Sequence, residues 1–457
     1  MFRKTLLLAL ISVLSANCLH LFSQNLKMDG YKGIWFSAGP LQEYGYKFSG
    51  GVATFASRHG PIAVYSPKVK KTYFVYGGTT SADERHLLIM ISYFDHKTHL
   101  VPKPVIVYDK MGVREPYDNA SLSIDADGYL WVFVSGNSRT RPGFIFKSSK
   151  PWSIESFRKL DEMEMISPQP WWIKNSGFVL MYSRVAKGWD LYFSSSPDGM
   201  IWTDNQRLTA MSGNLQVSDI YGDKLASAFT YFPGGDIDKQ TNLYFLQTDD
   251  MGKTWRTIDN RIVKTPLNGI NNEALVKDYE AEGKLVHLSD IDFDKDGNPV
   301  LLVIISRGAN PGPAEGPREW MIINWKDQKW NFSKVCESSN NFDRGALYVT
   351  DNEWKIIGPT EPGPQKYGTG GEVALWVSRN GGVSWEKEQE VTANSVNNNS
   401  FVQHPVNPQK DFYAFWADGN ADEFSKSYLY FTNEKCNKVW VLPYDMKEEF
   451  QRPVRIK

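Results

Sequence analysis

The chain has 457 residues, with 51 Lys and Arg against 52 Asp and Glu, for a net charge of −1. Nothing in it resembles a basic stripe or polybasic tail. Nucleic acid is therefore excluded as a partner, since binding it needs a concentrated phosphate-neutralising surface. Aromatics make up 14%, and 16 Trp, 36 Gly and 24 Pro are spread along the whole length. That favours many short strands and turns over helices.

At the N-terminus, Arg3 and Lys4 precede an apolar run from Leu6 to Leu14, and small and polar residues follow through Ser23 and Gln24. The pattern predicts a signal peptide over 1–24, a mature chain over 25–457 and a secreted or periplasmic location. The run is too short for a membrane span. Cys18, in Ser15-Ala16-Asn17-Cys18, makes a poor lipoprotein box because Asn17 replaces a small residue. In the mature chain only Cys336 and Cys436 remain, and their spacing leaves them bridged or free.

The stretch from Tyr44 to Tyr76 follows. It holds Lys47, Gly50 and Gly51, then His59 in Ala56-Ser57-Arg58-His59-Gly60-Pro61. Two alternating apolar runs come next, joined by a turn at Ser66-Pro67-Lys68. An imidazole titrates near working pH, so His59 is the candidate for proton transfer. The plainer alternative is a histidine bonded to a backbone carbonyl where a strand begins.

Beyond it almost every segment has one form, an apolar-aromatic run closed by a turn of Gly, Asp, Asn or Pro. Examples are residues 87–94, 122–134, 178–185, 190–199 and 298–305. Strands this frequent, with no long helical period between them, predict an all-β protein. A repeat is also present. Thr248 to Trp255 has the form S/T-x-D-x-G-x-x-W, Ser378 to Trp385 repeats it with Asn380 for Asp, and Ser196 to Trp202 is a contracted copy. This is an Asp-box hairpin, in which the turn side chain bonds backbone amides and the Trp packs between sheets. Asp294 to Gly297 superficially resembles a calcium loop, but Val303 stands where the bidentate glutamate would be, which makes it a plain hairpin. At about 55–65 residues per blade, the mature chain makes a single-domain, seven-bladed β-propeller. No cofactor or metal-ligand motif stands out, and the oligomeric state leaves no signal.

Residues 31–36, 46–55, 306–320, 358–378 and 405–419 resemble the BNR-repeat propeller family of carbohydrate-active enzymes. That family contains ulvan lyases and α-L-rhamnosidases that act on rhamnose linked to glucuronic acid in arabinogalactan-type glycans. The resemblance implies a partner oligo- or polysaccharide containing rhamnose and uronic acid. It also implies lyase histidines where this chain has Tyr117, Asn137, Asn340 and Asn420. Asparagine cannot move a proton near neutral pH, so the usual lyase centre reads as disarmed. In the rhamnosidase branch the resemblance implies one catalytic histidine on the opposite face, and His59 is the matching residue.

The main expectation is accordingly a rhamnosidase-like glycoside hydrolase centred on His59. The alternatives are a polysaccharide lyase, with Tyr117 or Tyr182 as an unusual base, and a non-catalytic glycan-binding propeller. A sialidase is disfavoured because the first blade lacks the Arg-Ile-Pro segment. Lys47, Tyr117, Asn137, Arg139, Tyr182, Arg184, Arg307, Arg318 and His404 are the candidate substrate contacts, guanidinium forks being suited to a uronate carboxylate. Trp320 and Trp416 could stack on sugars or pack blades, and Glu361 and Glu372 are reserve acids or polar caps.

Overall fold

A computed structural model of the chain describes residues 24–35, 41–46, 59–81, 84, 86–112, 118–138, 140–185, 188–420 and 422–457. The expected signal segment with Cys18, and also Lys47, Tyr117 and Arg139, lie outside the described residues. No helix among the described residues is long and apolar enough to cross a membrane.

Seven antiparallel sheets follow one another along the chain, each built mainly of four strands in sequence order. Their first strands are Ala63–Ser66, Ala120–Ile124, Ile166–Ile173, Asn214–Tyr221, Leu285–Phe293, Ala346–Val349 and Asn398–Gln403. These stand around the axis of a seven-bladed propeller. Because each sheet is packed between two others, its middle strands are buried on both faces and read as continuous apolar runs. Pro299–Ser306 is buried at every position, as is Leu130–Val134.

Three Asp boxes close the outer hairpins as their sequences require. Asp250 accepts the Thr254 amide at 2.8 Å, Thr248 Oγ1 accepts the Gly252 amide at 3.0 Å, and Trp255 is 1% exposed. Asn380 and Asp198 do the same work in the other two, accepting from Ser384 and Met200. Gly252 has φ +83°, and a Cβ there would stand 2.4 Å from Phe193. The turn at Asp294 is a plain hairpin, its carboxylate taking the amides of Asp296 and Asn298 at 2.9 Å.

The ring is closed by contacts between its two ends. Gly33–Trp35 pairs antiparallel with Ser425–Ser427 in the last blade. The Tyr31 amide donates to the Pro443 carbonyl at 3.0 Å. Val406 and the first strand exchange two bonds, Val406 N–H to Ala63 O at 2.9 Å and Tyr65 N–H to Val406 O at 3.0 Å. Cys336 and Cys436 are both free and buried.

In this topology, connections between first and second strands, and between third and fourth, lie on one face of the disc, here the turn face. Connections between second and third strands, and between blades, lie on the other, the loop face.

Candidate functional site: the central channel

Inner strands from six of the blades wall a cavity on the axis of about 60 Å³. The first blade contributes His59, which is 2% exposed, and the last contributes His404. The two histidines singled out from sequence thus line one cavity, though they come from opposite ends of the chain. Opposite them stand Asp219 and Asp290, with Arg344 beside Asp290.

The charges are arranged as a network. His404 Nε2 is 3.3 Å from Asp290 Oδ2, and the two side chains keep 21% and 20% of their surface open, facing the channel. Asp290 Oδ2 also accepts the Leu347 amide at 2.7 Å, and Asp292 Oδ2 accepts the Val349 amide at 2.7 Å. Arg344 donates to the Ser289 carbonyl through Nε at 3.1 Å.

Burial alone would lower the His404 pKa. The charges of Asp290, Asp219 and Asp292 override it and push it up to about 10, so this ring is a cation at neutral pH. Burial, reinforced by the Asp292 charge, pushes Asp219 up to about 8. Asp292 is raised by burial to about 6, the His404 charge and two amides opposing. Burial pulls Arg344 down to about 10. The channel therefore holds one firm imidazolium and a carboxyl that keeps its proton near neutrality, with the buried His59 ring in the same wall.

Sequence reasoning missed Asp219, Asp290, Asp292 and Arg344. A signal was present: Ser218-Asp219-Ile220 and Ser289-Asp290-Ile291 are the same tripeptide at matching places in two apolar inner strands.

The other expected contacts scatter. Tyr182 is a correction. It is fully buried between blades, with its hydroxyl 3.0 Å from Ser194 Oγ and also bonded to Asn205. Burial pushes it up to about 12, so it can neither touch a sugar nor act as a base. Arg318 is also corrected: 2% exposed, it binds the carbonyls of Gly312 (2.8 Å) and Asn310 (2.5 Å) and pins its own loop. Arg184 pairs with Glu164 at 2.8 Å and lies over Tyr192, and Arg307 is exposed, both at loop-face strand ends. Asn137 is half-buried in the same face, its amide bonded to the Arg141 carbonyl at 3.0 Å. Asn340 is a staple, giving Nδ2 to Tyr367 O at 3.0 Å and taking the Phe342 amide at 2.9 Å. Asn420 binds Glu423 at 3.0 Å. Trp320 and Trp416 are 0% exposed and pack blades. Glu372 caps a loop through Ser395, and Glu361 pairs with Lys387 at 3.1 Å.

Near the loop face, Lys110, Asp118 and Arg141 form a buried network, Lys110 Nζ lying 2.9 Å from Asp118. Asp343, pushed up by burial to about 7, holds the Gly370 amide at 2.6 Å. Among the described residues no group of three or more His, Cys, Asp or Glu is disposed to hold a metal ion.

Residues 93–338, over half of the chain, match the BNR repeat-containing family. The chain belongs to that family. This BNR-repeat propeller is 23% identical over 358 residues to the ulvan lyase of Nonlabens ulvanivorans, covering 68% of this chain and 72% of the relative. A solved polysaccharide lyase, an ulvan lyase bound to -[GlcA(1-4)Rha3S]-, superposes with a TM-score of 0.69 at 14% identity, covering 90% of this chain and 96% of that one. The polysaccharide lyase Uly1 superposes at 0.60 and 11% identity, covering 90% and 99%. These likenesses establish the propeller fold. The names they carry are lyase names, whereas the sequence reading favoured a hydrolase.

Proposed function

We propose that this propeller cleaves a polysaccharide in which uronic acid adjoins rhamnose, and that it does so by β-elimination. The observation that carries the reading is the 358-residue likeness to an ulvan lyase, and the fold shared with a lyase holding a glucuronate–rhamnose chain agrees with it. Elimination needs a base for the proton beside the uronate carboxyl, a donor for the leaving oxygen, and positive charge against the carboxylate. We assign proton transfer to His59 and the fixed positive charge to His404. A polymer cannot thread a cavity of about 60 Å³, so the substrate lies across a mouth of the channel, with Arg307 as an accessible cation on the loop face. The segment 1–24 is read as the export signal.

A second reading, hydrolysis that releases rhamnose with His59 central, is favoured by the asparagines at 137, 340 and 420. One incubation separates the two. Ultraviolet absorbance of an unsaturated uronate marks elimination, free rhamnose marks hydrolysis, and binding with neither product leaves a glycan-binding propeller and sinks both. His59→Gln is expected to lower turnover at least about a hundredfold. Full activity in that variant removes His59 from the chemistry.

A further inference from the structure

On the turn face, where the first three blades meet, an open groove of about 370 Å³ runs beside the channel wall. Its size falls within the range of sites that take small ligands, roughly 300–1,000 Å³, whereas the channel cavity does not. The lining includes Tyr65, Trp152, Trp171 and Trp172. Tyr65, Trp152 and Trp172 are half-buried, so ring surface stays open in each.

These rings are held in place before any ligand arrives. The Trp152 amide donates to the Gly128 carbonyl at 2.7 Å, and its own carbonyl accepts the Tyr73 hydroxyl at 2.7 Å. Its indole covers Gly128 so closely that a Cβ there would stand 2.1 Å from the ring. Trp172 is braced edge-on against Phe178, with centroids 4.7 Å apart. Trp171 is fixed by its Nε1–H to Ser218 Oγ at 2.8 Å. Aromatic faces fixed in this way stack on the apolar faces of pyranose rings at little entropic cost.

The charge is equally specific. Among the described lining residues Lys68 is the one cation and Asp125 the one carboxylate. Asp125 is already engaged by the amides of Asp127 and Tyr129 and by Trp131 Nε1–H. Lys68 is exposed, 6.0 Å from the Trp152 ring, and makes no ion pair among the described residues. A carboxylate on a sugar stacked upon Trp152 would meet that ammonium. The larger turn-face groove, about 480 Å³ between blades five and six, is lined by four Asp against two Lys and would repel the same ligand.

We propose that the Trp152–Trp172 groove is a second glycan-binding site, on the turn face, for short stretches of a uronate-bearing polysaccharide. It rests on the reading above only for the identity of the glycan. The test uses the full chain labelled with 5-fluorotryptophan, its Trp152 and Trp172 fluorine resonances assigned with Trp152→Phe and Trp172→Phe. A glucuronate–rhamnose tetrasaccharide is expected to shift both resonances. Lys68→Glu should weaken that binding about tenfold, and Ala126→Met, which fills the groove from an exposed turn without adding charge, should abolish it. Unmoved resonances, or equal shifts with neutral methyl rhamnoside, overturn the proposal. Cleavage with unmoved indoles sinks the groove and spares the functional reading. Shifted indoles without cleavage do the reverse.

Discussion

Asp290→Asn removes the carboxylate 3.3 Å from His404 Nε2 and keeps a side chain of the same size. Its remaining oxygen can still accept the Leu347 amide, so the loss is one of charge and not of shape. His404 is held at about 10 against an ordinary 6.5. That difference is worth about 5 kcal/mol at most, at 1.36 kcal/mol for each tenfold change in proton affinity. Asp219 and Asp292 share it, so the variant should lose about 2–3 kcal/mol at pH 6, a little under the cost of breaking a fully buried pair. The sign with pH follows from linkage. A raised histidine contributes its full stability below pH 6.5 and loses it as pH climbs through about 10, so the deficit should shrink to about 1 kcal/mol at pH 9. Denaturant unfolding at both pH values measures this, and the His404 imidazole proton followed by NMR reports the pKa directly. A variant equally destabilised at pH 6 and pH 9, or one whose His404 still titrates near 10, would refute the reasoning.

Other outcomes are expected away from the channel. Asp118→Asn strands the buried Lys110 ammonium without its anion, and should cost about 3–5 kcal/mol in urea unfolding. Asp250→Ala frees two donors of an Asp-box turn, the Thr254 amide and the Thr248 hydroxyl, and should cost about 1–2 kcal/mol. Tyr182→Phe leaves Asn205 without its phenol, so stability should fall by about 1 kcal/mol while glycan turnover holds. Burial pushes the Cys436 thiol up to about 12 and Cys336 upward as well, so a thiol reagent should label neither until the protein is unfolded.

The blades were legible because their signals are local. Each Asp box carries its own acceptor, its glycine and its indole within eight residues, and short apolar runs between turns define strands without long-range information. The site was only half legible. His59 and His404 stood out as residues, but nothing in the spacing says that the first and last blades bring them to one cavity. Tyr182 and Arg318 misled for a physical reason. In an open sheet, alternation tells which side chains face solvent, whereas here neighbouring blades cover both faces of the middle strands, and a polar residue such as Tyr182 can point into packing with its hydroxyl satisfied there. Arg318 looked like a carboxylate fork, yet its own loop supplies the acceptors.

Gly33–Trp35 binds strand to strand with Ser425–Ser427, and Val406 bonds to both Ala63 and Tyr65, so the first and last blades are joined by contacts between the two ends of the chain. Contacts so remote in sequence make folding slow. His59 and His404 sit on the two sides of that seam, so they share one cavity only while it is closed. The contacts that close the ring are thus the same ones that bring the two histidines into one cavity.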